Sequence, residues 1–295
     1  MSDFRLKVFQ SVAKNLSFTK ASQELFVSQP AITKHIQELE ATYQTRLFDR
    51  QGSKISLTES GRLLLEHCER ILEEYKRLEY EMHLLHNEYI GELKLGASTT
   101  IAQYVLPPLL GSFIGKFPQV NLSLLNGNSR VLDAALQVHR IDLGLVEGVF
   151  RLPNLKYTTF LEDELVAVVH SKSRLQLPEE ITPQDLPAIP LVLRERGSGT
   201  LDVIERSLQK HGVKLSSLHV LMYLGSTESI KLFLENSDCM GIVSIRSICK
   251  ELAAGTFRVV EIKDMPMLRD FCFVQLQGQE GGLSQAFMNY MFMSR

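Results

Sequence analysis

Apolar residues near the start of the chain repeat at helical spacing in three short segments. In the first, an apolar residue recurs every fourth position, which predicts a helix from about Asp3 to Lys14. Ser17 and Ser28 each precede a further segment of this kind. Because serine is a preferred N-cap residue, each of them predicts the start of another helix. Only Phe26 and Val27 separate the second predicted helix from Ser28.

The third predicted helix has an apolar side, formed by Ile32, Ile36 and Leu39, and a polar side. The major groove of DNA admits such a helix, with its N-terminal side chains at the base edges. The alternative is a small helical bundle whose polar side is only solvated. The residues predicted to contact DNA from this helix are Ser28, Gln29, Pro30, Thr33, Lys34 and Gln37.

Two short extended runs follow the third helix, with Gly52-Ser53 as a turn signal between them. They predict a two-stranded wing. Arg50 and Lys54, near its tip, can contact phosphates or enter the minor groove, although two basic residues on a hairpin are commonly only solvated. Beside three helices, the wing favours a nucleic-acid-binding head.

A heptad repeat follows the head. From Leu64 to Tyr89, apolar residues alternate spacings of four and three, which is the pattern of a coiled coil, and Thr58 is the predicted N-cap of this helix. We predict a dimerisation helix; the alternative is an amphipathic helix that lies on its own domain. The residues predicted to contact a second copy are Leu64, Ile71, Leu78 and Leu85.

From about residue 91, short extended runs alternate with helical segments, which predicts a parallel α/β sheet. Helices begin at turns rich in Gly, Ser and Thr, at 98–100, 197–200 and 225–228. Helix N-termini offer unpaired N–H groups to anions, so several such turns favour a small anionic ligand, although each alone is more simply an N-cap. Arg194 or Arg196 can add a bidentate contact to a carboxylate, although an arginine beside a loop is commonly only exposed.

The length of 295 residues predicts about two domains. The charge is distributed unevenly along the chain. Residues 1–62 carry a net charge of +3 and residues 63–90 a net charge of −4. No membrane span, export signal or C-x-x-C pair is present in the sequence, which predicts a cytoplasmic protein without disulfides.

The sequence favours no enzyme class. It contains no nucleophile elbow, H-E-x-x-H, P-loop or G-x-G-x-x-G motif, so no catalytic residue, metal site or cofactor is predicted. A plain solute-binding protein would need an export signal and would lack the basic head. A nucleoid-type architectural protein would not need the body and would usually be more basic.

Residues 17–22, 25–33 and 57–61 resemble the LysR-type transcriptional regulators, in a match of about 60 residues without gaps. The family usually has glycine where this chain has Gln44. In the body, segments such as 91–96, 142–148 and 225–228 match the family's effector domain.

This resemblance implies an α/β multidomain fold. A winged helix-turn-helix domain is expected at 1–60 and a long coiled-coil linker helix at 61–90. A two-lobed, periplasmic-binding-protein-like effector domain is expected at 91–295, with one lobe at 91–160 and 267–295 and the other at 161–266. The effector-binding positions that it implies are Ser98, Thr99, Thr100, Gln103, Asn128, Ser129, Gly197, Ser198, Gly199, Thr200 and Thr227.

The expected function is sequence-specific transcriptional regulation. The resemblance implies a homodimer or homotetramer that binds double-stranded promoter DNA, responds to a small anionic metabolite in the C-terminal cleft and contacts RNA polymerase. No membrane partner is expected.

Overall fold

The computed structural model describes residues 4–51, 54–84, 89–147, 151–278 and 281–294. The chain divides into two compact units, Met1–Glu88 and Tyr89–Arg295. We call them the head and the body.

The head contains the three predicted short helices, the two strands of the wing and one long helix. These elements are α1 (Phe4–Asn15), α2 (Phe18–Glu24), α3 (Gln29–Tyr43), β1 (Phe48–Gln51), β2 (Lys54–Leu57) and α4 (Glu59–Leu84). Strands β1 and β2 pair antiparallel. The predicted turn at Gly52-Ser53 lies outside the described residues.

The ends of α2 and α3 follow from their local sequence. The Ser17 and Ser28 side chains accept hydrogen bonds from the first-turn N–H groups of α2 and α3, as N-caps do. Gln44 ends α3 in the left-handed conformation, with φ of 50°. Glutamine therefore adopts the backbone geometry that glycine provides in the family, although a side chain at positive φ is strained.

The long helix α4 contributes to the core of the head. The Thr58 hydroxyl accepts a hydrogen bond from the N–H of Gly61 at 2.9 Å, which confirms Thr58 as its cap. Cys68 and Leu72 are buried among the side chains of the head, and Leu64 packs partly buried against them. Leu64 was predicted to lie in the dimer seam; it packs partly buried against its own head, and its contact with a second copy stays a prediction.

Farther along α4, apolar side chains remain exposed. Ile71, Leu78 and Met82 are between 41 and 52% exposed, as an unpaired seam requires. Leu85 lies outside the described residues. Tyr89 was predicted to end the seam, but it lies beyond α4 and packs on the ring of Phe117 in the body, with ring centroids 4.5 Å apart.

The body alternates strands and helices through most of its length. Its elements are β3 (Gly91–Ala97), α5 (Leu106–Lys116), β4 (Val120–Asn126), α6 (Ser129–Gln137), β5 (Leu143–Glu147), β6 (Leu155–His170), β7 (Glu180–Ile181), β8 (Leu191–Arg194), α7 (Gly199–Lys210), β9 (Val220–Leu224), α8 (Thr227–Glu235), β10 (Met240–Ser244), α9 (Cys249–Ala253), β11 (Phe257–Ile262), β12 (Met267–Leu276) and α10 (Gly282–Met293). No helix in the described part of the chain is both long and apolar enough to cross a membrane.

The sheet of the body is mixed: the parallel pairing that was predicted is present, and antiparallel pairs occur beside it. The main strand order is β4-β3-β5-β12-β6-β10-β8-β9, and β11 pairs with β6 and with β7. The predicted β–α repeats do produce parallel pairs, such as β3 with β4 and β8 with β9. The antiparallel pairs come from β6 and β12, whose long ladder joins the two groups of parallel strands.

The strands β6 and β12 therefore divide the body into two lobes. Lobe 1 consists of β3, β4 and β5 with α5, α6 and α10, and its main core includes Leu95, Phe113 and Phe273. Lobe 2 consists of β7 to β11 with α7, α8 and α9, and its main core includes Leu191 and Ile204. The carboxyl ends of β3, β5 and β8 come together where the lobes contact each other. We call this place the cleft, because ligands of open α/β sheets bind at the carboxyl ends of strands.

The carboxyl group of Asp133 on helix α6 is partly buried, which disfavours its charged form. Burial raises the pKa of Asp133 to about 6, and its Oδ1 has no hydrogen-bond partner among the described residues. Because the charged form is disfavoured in the folded state, Asp133 lowers the stability of the body at neutral pH.

We expect Asp133→Asn to raise the free energy of unfolding by about 1–2 kcal/mol at pH 7.5. The gain should shrink as the pH falls through 6 towards the unfolded-state value near 3.8, because folded wild type then takes up the proton. Urea unfolding of both proteins at pH 7.5 and at pH 5 measures this difference. A gain that is equal at both pH values would contradict the assignment.

Candidate DNA-reading surface and effector cleft

The polar side of α3 is open to solvent along its first three turns. Gln29, Pro30, Lys34 and Gln37 are exposed, and Thr33 is partly exposed. On the other side Ile32, Ile36 and Leu39 are buried in the head. The hydroxyl of Thr33 donates to the carbonyl of Gln29 at 3.1 Å, and Ser28 caps the helix. The helix thus presents the polar surface that was predicted to contact DNA. The side chains of Arg50 and Lys54 lie outside the described part of the structure.

At the base of the cleft, the turn after β3 meets the end of β5. The hydroxyl of Ser98 donates to the carboxylate of Glu147, and Ser129 donates to the Glu147 carbonyl at 2.9 Å. Lobe 2 approaches this point through Gly199, where an added Cβ would lie 2.0 Å from the same carbonyl oxygen. Only glycine permits this contact between the backbones of the two lobes.

Several predicted effector residues are helix caps. Ser198 accepts from the N–H of Leu201 at 3.1 Å, and Asn128 accepts from the N–H of Val131 at 3.1 Å. These two side chains therefore follow the ordinary capping alternative. The remaining predicted residues of the cleft differ in exposure: Thr99, Thr100, Gly199, Thr200 and Thr227 are buried, Ser129 and Gly197 are partly buried, and Gln103 is exposed.

Arg194, at the end of β8, is the most deeply buried cation bordering the cleft, with 1% of its surface exposed. Its guanidinium is bidentate to Glu195, through Nε at 2.8 Å and Nη2 at 3.2 Å. Nη2 also contacts Thr99 Oγ1 of lobe 1 at 3.4 Å and the carbonyl of Gly225 at 3.3 Å. Its Nη1 is buried without a hydrogen-bond partner among the described residues. Arg196, the other candidate, is exposed.

The surroundings of Arg194 leave an unsatisfied donor beside the predicted anion-binding turns. Burial alone would raise the pKa of the Glu195 carboxyl, but the Arg194 guanidinium holds this pKa below its usual value. The carboxyl is therefore charged. The amide of Asn128 in lobe 1 donates to Glu195 at 3.2 Å. A buried guanidinium donor without a partner costs free energy, and an anion that accepts from Nη1 would remove this cost.

Sequence reasoning missed a second buried charge cluster beneath the cleft. Arg269 on β12 pairs with Asp163 on β6: its Nε donates to Oδ2 at 2.8 Å, and its Nη2 lies 2.7 Å from the same oxygen without a hydrogen bond among the described residues. Its Nη1 donates to Thr200 Oγ1 at 2.8 Å and lies 3.6 Å from Glu147. Burial raises the pKa of Glu147, and Arg269 and Arg194 oppose the shift. Only the pairing of β6 with β12 brings these residues together, so no local pattern indicates the cluster.

A third contact joins the lobes at the first helix after β3. Ile101–Val105 form a π-helical turn before α5, where the sequence predicted a continuous helix from Thr100. π-Helical turns are frequent at functional sites. From this turn the hydroxyl of Tyr104 donates to Glu228 at the start of α8. Lys231 lies on the other side of Glu228, with Nζ 2.9 Å from its carboxylate.

With this geometry, the comparison with known proteins identifies the family. A family model described as the LysR substrate binding domain matches residues 86–292, and one described as the bacterial regulatory helix-turn-helix protein of the lysR family matches residues 4–62. The chain therefore belongs to the LysR family of DNA-binding transcriptional regulators, as the resemblance implied.

Individual relatives agree with this assignment. The chain is 31% identical to the RuBisCO operon transcriptional regulator of Acidithiobacillus ferrooxidans, over 98% of this chain and 92% of that protein. It is 27% identical to the CcmR regulatory domain of Synechocystis PCC6803 in complex with 2-PG, with a TM-score of 0.62, over 69% of this chain and 97% of that domain. Full-length CbnR, a structure complexed with its target DNA, matches all of this chain with a TM-score of 0.62 at 22% identity, which shows a shared fold.

Proposed function

We propose that this regulator reads promoter DNA with the exposed side of α3 and is controlled by a small anion that binds Arg194 in the cleft of the body. Its site of action is then the cytoplasm, and regulation, not catalysis, is its activity. The observation that carries the effector half of the proposal is the buried Nη1 of Arg194, which has no partner among the described residues.

The DNA half of the proposal rests on the shape of α3. Gln29 lies in the first turn of the helix and is exposed, so it can place its amide at a base edge. The amide matches the donor and acceptor pattern of adenine in the major groove. Lys34 is exposed one turn later and is placed to neutralise a phosphate. We propose the same backbone-contacting role for Arg50 and Lys54 in the wing.

We expect Gln29→Ala to weaken binding to a specific site by about 1–3 kcal/mol and to leave non-specific binding almost unchanged, because only base reading is lost. Fluorescence anisotropy with a duplex selected by the wild-type protein and with a scrambled duplex measures both affinities. The control is Gln23→Ala, at an exposed glutamine of α2. An equal loss on both duplexes would count against base reading.

Self-association through α4 would bring two such helices to adjacent half-sites. A groove of about 500 Å³ runs along the exposed side of α4, lined by residues that include Ile71, Tyr75 and Leu78. We propose that a second copy covers this side to form a homodimer, from which a homotetramer can assemble.

The effector half of the proposal requires a small ligand with an oxyanion group. Thr99 Oγ1 of lobe 1 lies 3.4 Å from Nη2 of Arg194. We propose that Thr100 and the start of α7 supply further polar groups to the ligand. We propose that the ligand replaces Glu195 or joins it on Arg194, and that the lobes, 91–160 with 267–295 and 161–266, then change their relative arrangement. Such a ligand shifts the equilibrium only by its differential affinity for the two arrangements. The changed dimer would alter contact with RNA polymerase.

A further inference from the structure

Phe26 is the most exposed large apolar side chain in the described part of the structure, at 95%. It lies in the short connection between α2 and α3, two residues before the N-cap Ser28. Its neighbours Leu25 and Val27 both pack against the core of the head. The chain therefore turns Phe26 outward at the point where α3 begins.

The backbone of Phe26 is also unusual. Its φ is 53°, in the left-handed region, where a bulky side chain is strained and glycine or asparagine is preferred. An exposed phenyl ring at a strained position stabilises neither the core nor the turn. The backbone conformation itself closes α2, because the N–H of Val27 donates to the carbonyl of Ser22 at 3.1 Å, and it turns the ring to solvent.

The position of Phe26 relative to Gln29 limits what its ring can meet. Three residues span at most about 11 Å of extended chain, and the major groove is about 12 Å wide. If Gln29 reaches a base edge, Phe26 therefore lies at the wall of the same groove. Two apolar surfaces are present there, the C5 methyl group of thymine and the deoxyribose of the backbone.

We propose that Phe26 is a DNA-contacting residue whose ring packs against the apolar surface of the duplex beside the bases read by α3. This inference rests on the proposed reading of DNA by α3 and extends it to the turn before the helix. The contact covers apolar area without an ion pair. Its contribution to affinity is therefore independent of salt, unlike that of a lysine at a phosphate.

The test uses the full-length protein and duplexes that the wild type selects from a randomised pool. We expect Phe26→Asn to weaken binding to a selected duplex about fivefold to tenfold, in line with loss of a partly buried aromatic contact. The slope of log affinity against log salt should stay at the wild-type value. Lys34→Met should instead lower the slope by about one.

Three controls separate this role from a structural one. Asparagine accepts positive φ, so Phe26→Asn should unfold at or above the wild-type temperature. Tyr43→Asn replaces another exposed aromatic residue at the far end of α3, about 21 Å along the helix from Gln29, and should leave affinity unchanged. Phe26→Leu retains an apolar side chain and should retain most of the affinity.

Each outcome is decisive. Wild-type DNA affinity in Phe26→Asn would overturn the proposal. If this variant also self-associates more weakly than the wild type in analytical ultracentrifugation without DNA, the ring contacts a second copy of the chain instead. If deoxyuridine at one selected thymidine weakens the wild type but not Phe26→Asn, the ring contacts the base methyl. If no deoxyuridine replacement weakens binding of the wild type and Phe26→Asn still binds weakly, the ring contacts deoxyribose. A wild type that selects no duplex would overturn the proposed DNA reading itself.

Discussion

Replacing Arg269 with methionine will lower the free energy of unfolding of the body by about 3–5 kcal/mol, as loss of one partner of a buried ion pair does. The variant leaves the carboxyl groups of Asp163 and Glu147, in residues that are both 4% exposed, without the cation that Arg269 supplies to each of them. Urea unfolding of the full chain at pH 8, followed by a probe for the transition of the body, measures the loss.

The dependence of this loss on pH tests its cause. Burial already raises the pKa of Glu147, and removing the Arg269 cation raises it further. As the pH falls, the Glu147 carboxyl of the variant takes up a proton, and the cost of burying its charge disappears. The deficit of Arg269→Met relative to wild type should therefore be largest at pH 8 and smaller at pH 5.5.

Arg258→Met is the matched control. Arg258 is also a strand arginine of the body, but it is only partly buried and donates to the carbonyl of Leu177 at 2.9 Å. We expect its loss to cost about 1–2 kcal/mol, without a dependence on the carboxyl groups. An Arg269→Met variant no less stable than Arg258→Met would contradict the cluster's contribution.

Arg194→Met will abolish the response to the effector. A thermal-unfolding screen of the wild type against small carboxylates and phosphates identifies anions that bind, since a ligand at a hundred times its Kd stabilises by about 2.7 kcal/mol. Any anion that raises the unfolding temperature of the wild type should give no shift with Arg194→Met, because the buried guanidinium donors are gone.

Arg196→Met provides the control for Arg194, because it makes the same change two residues away at an exposed position. It should keep the full ligand-induced shift. Both variants should bind the selected duplex as the wild type does without effector, since neither changes the head. A ligand shift that survives in Arg194→Met would place the anion elsewhere.

Local sequence determined most of the head. The N-caps Ser17 and Ser28, the burial of Ile32 and Ile36, and the cap at Thr58 all follow from short-range patterns that the structure confirms. At the ends of α4 the pattern did not identify what the apolar side chains pack against. The periodicity of Leu64 and Tyr89 is compatible with a coiled coil, but each side chain packs within its own unit. Periodicity identifies an apolar side of a helix and not its partner.

The cleft was predictable only in part. The turns rich in Ser and Thr were found, because capping residues have a recognisable spacing, but the same spacing does not distinguish a cap such as Ser198 from a ligand contact. Arg194 was one of two candidates, and its burial favours it over the exposed Arg196 as the residue proposed to bind the anion. The Arg269 cluster depends on strand pairing between residues 106 apart in sequence, which no local signal reports.

The outward ring of Phe26 was not predicted either. An aromatic residue among the apolar positions 25–27 suggests a core contact, and only the left-handed backbone at Phe26 turns it to solvent. Three consecutive apolar residues cannot all face one core when the chain changes direction between two helices.

The ladder of β6 and β12 also limits which changes of chain length the body tolerates. Along the first half of β12, Met267, Arg269 and Phe271 are buried while Leu268 is 67% exposed. Loss of a single codon here would slide the remaining residues by one and exchange the two faces of the strand. The irregularity in pairing between Phe271 and Cys272 is where the register already shifts. In-frame insertions and deletions in relatives should therefore fall in the loops that flank the ladder.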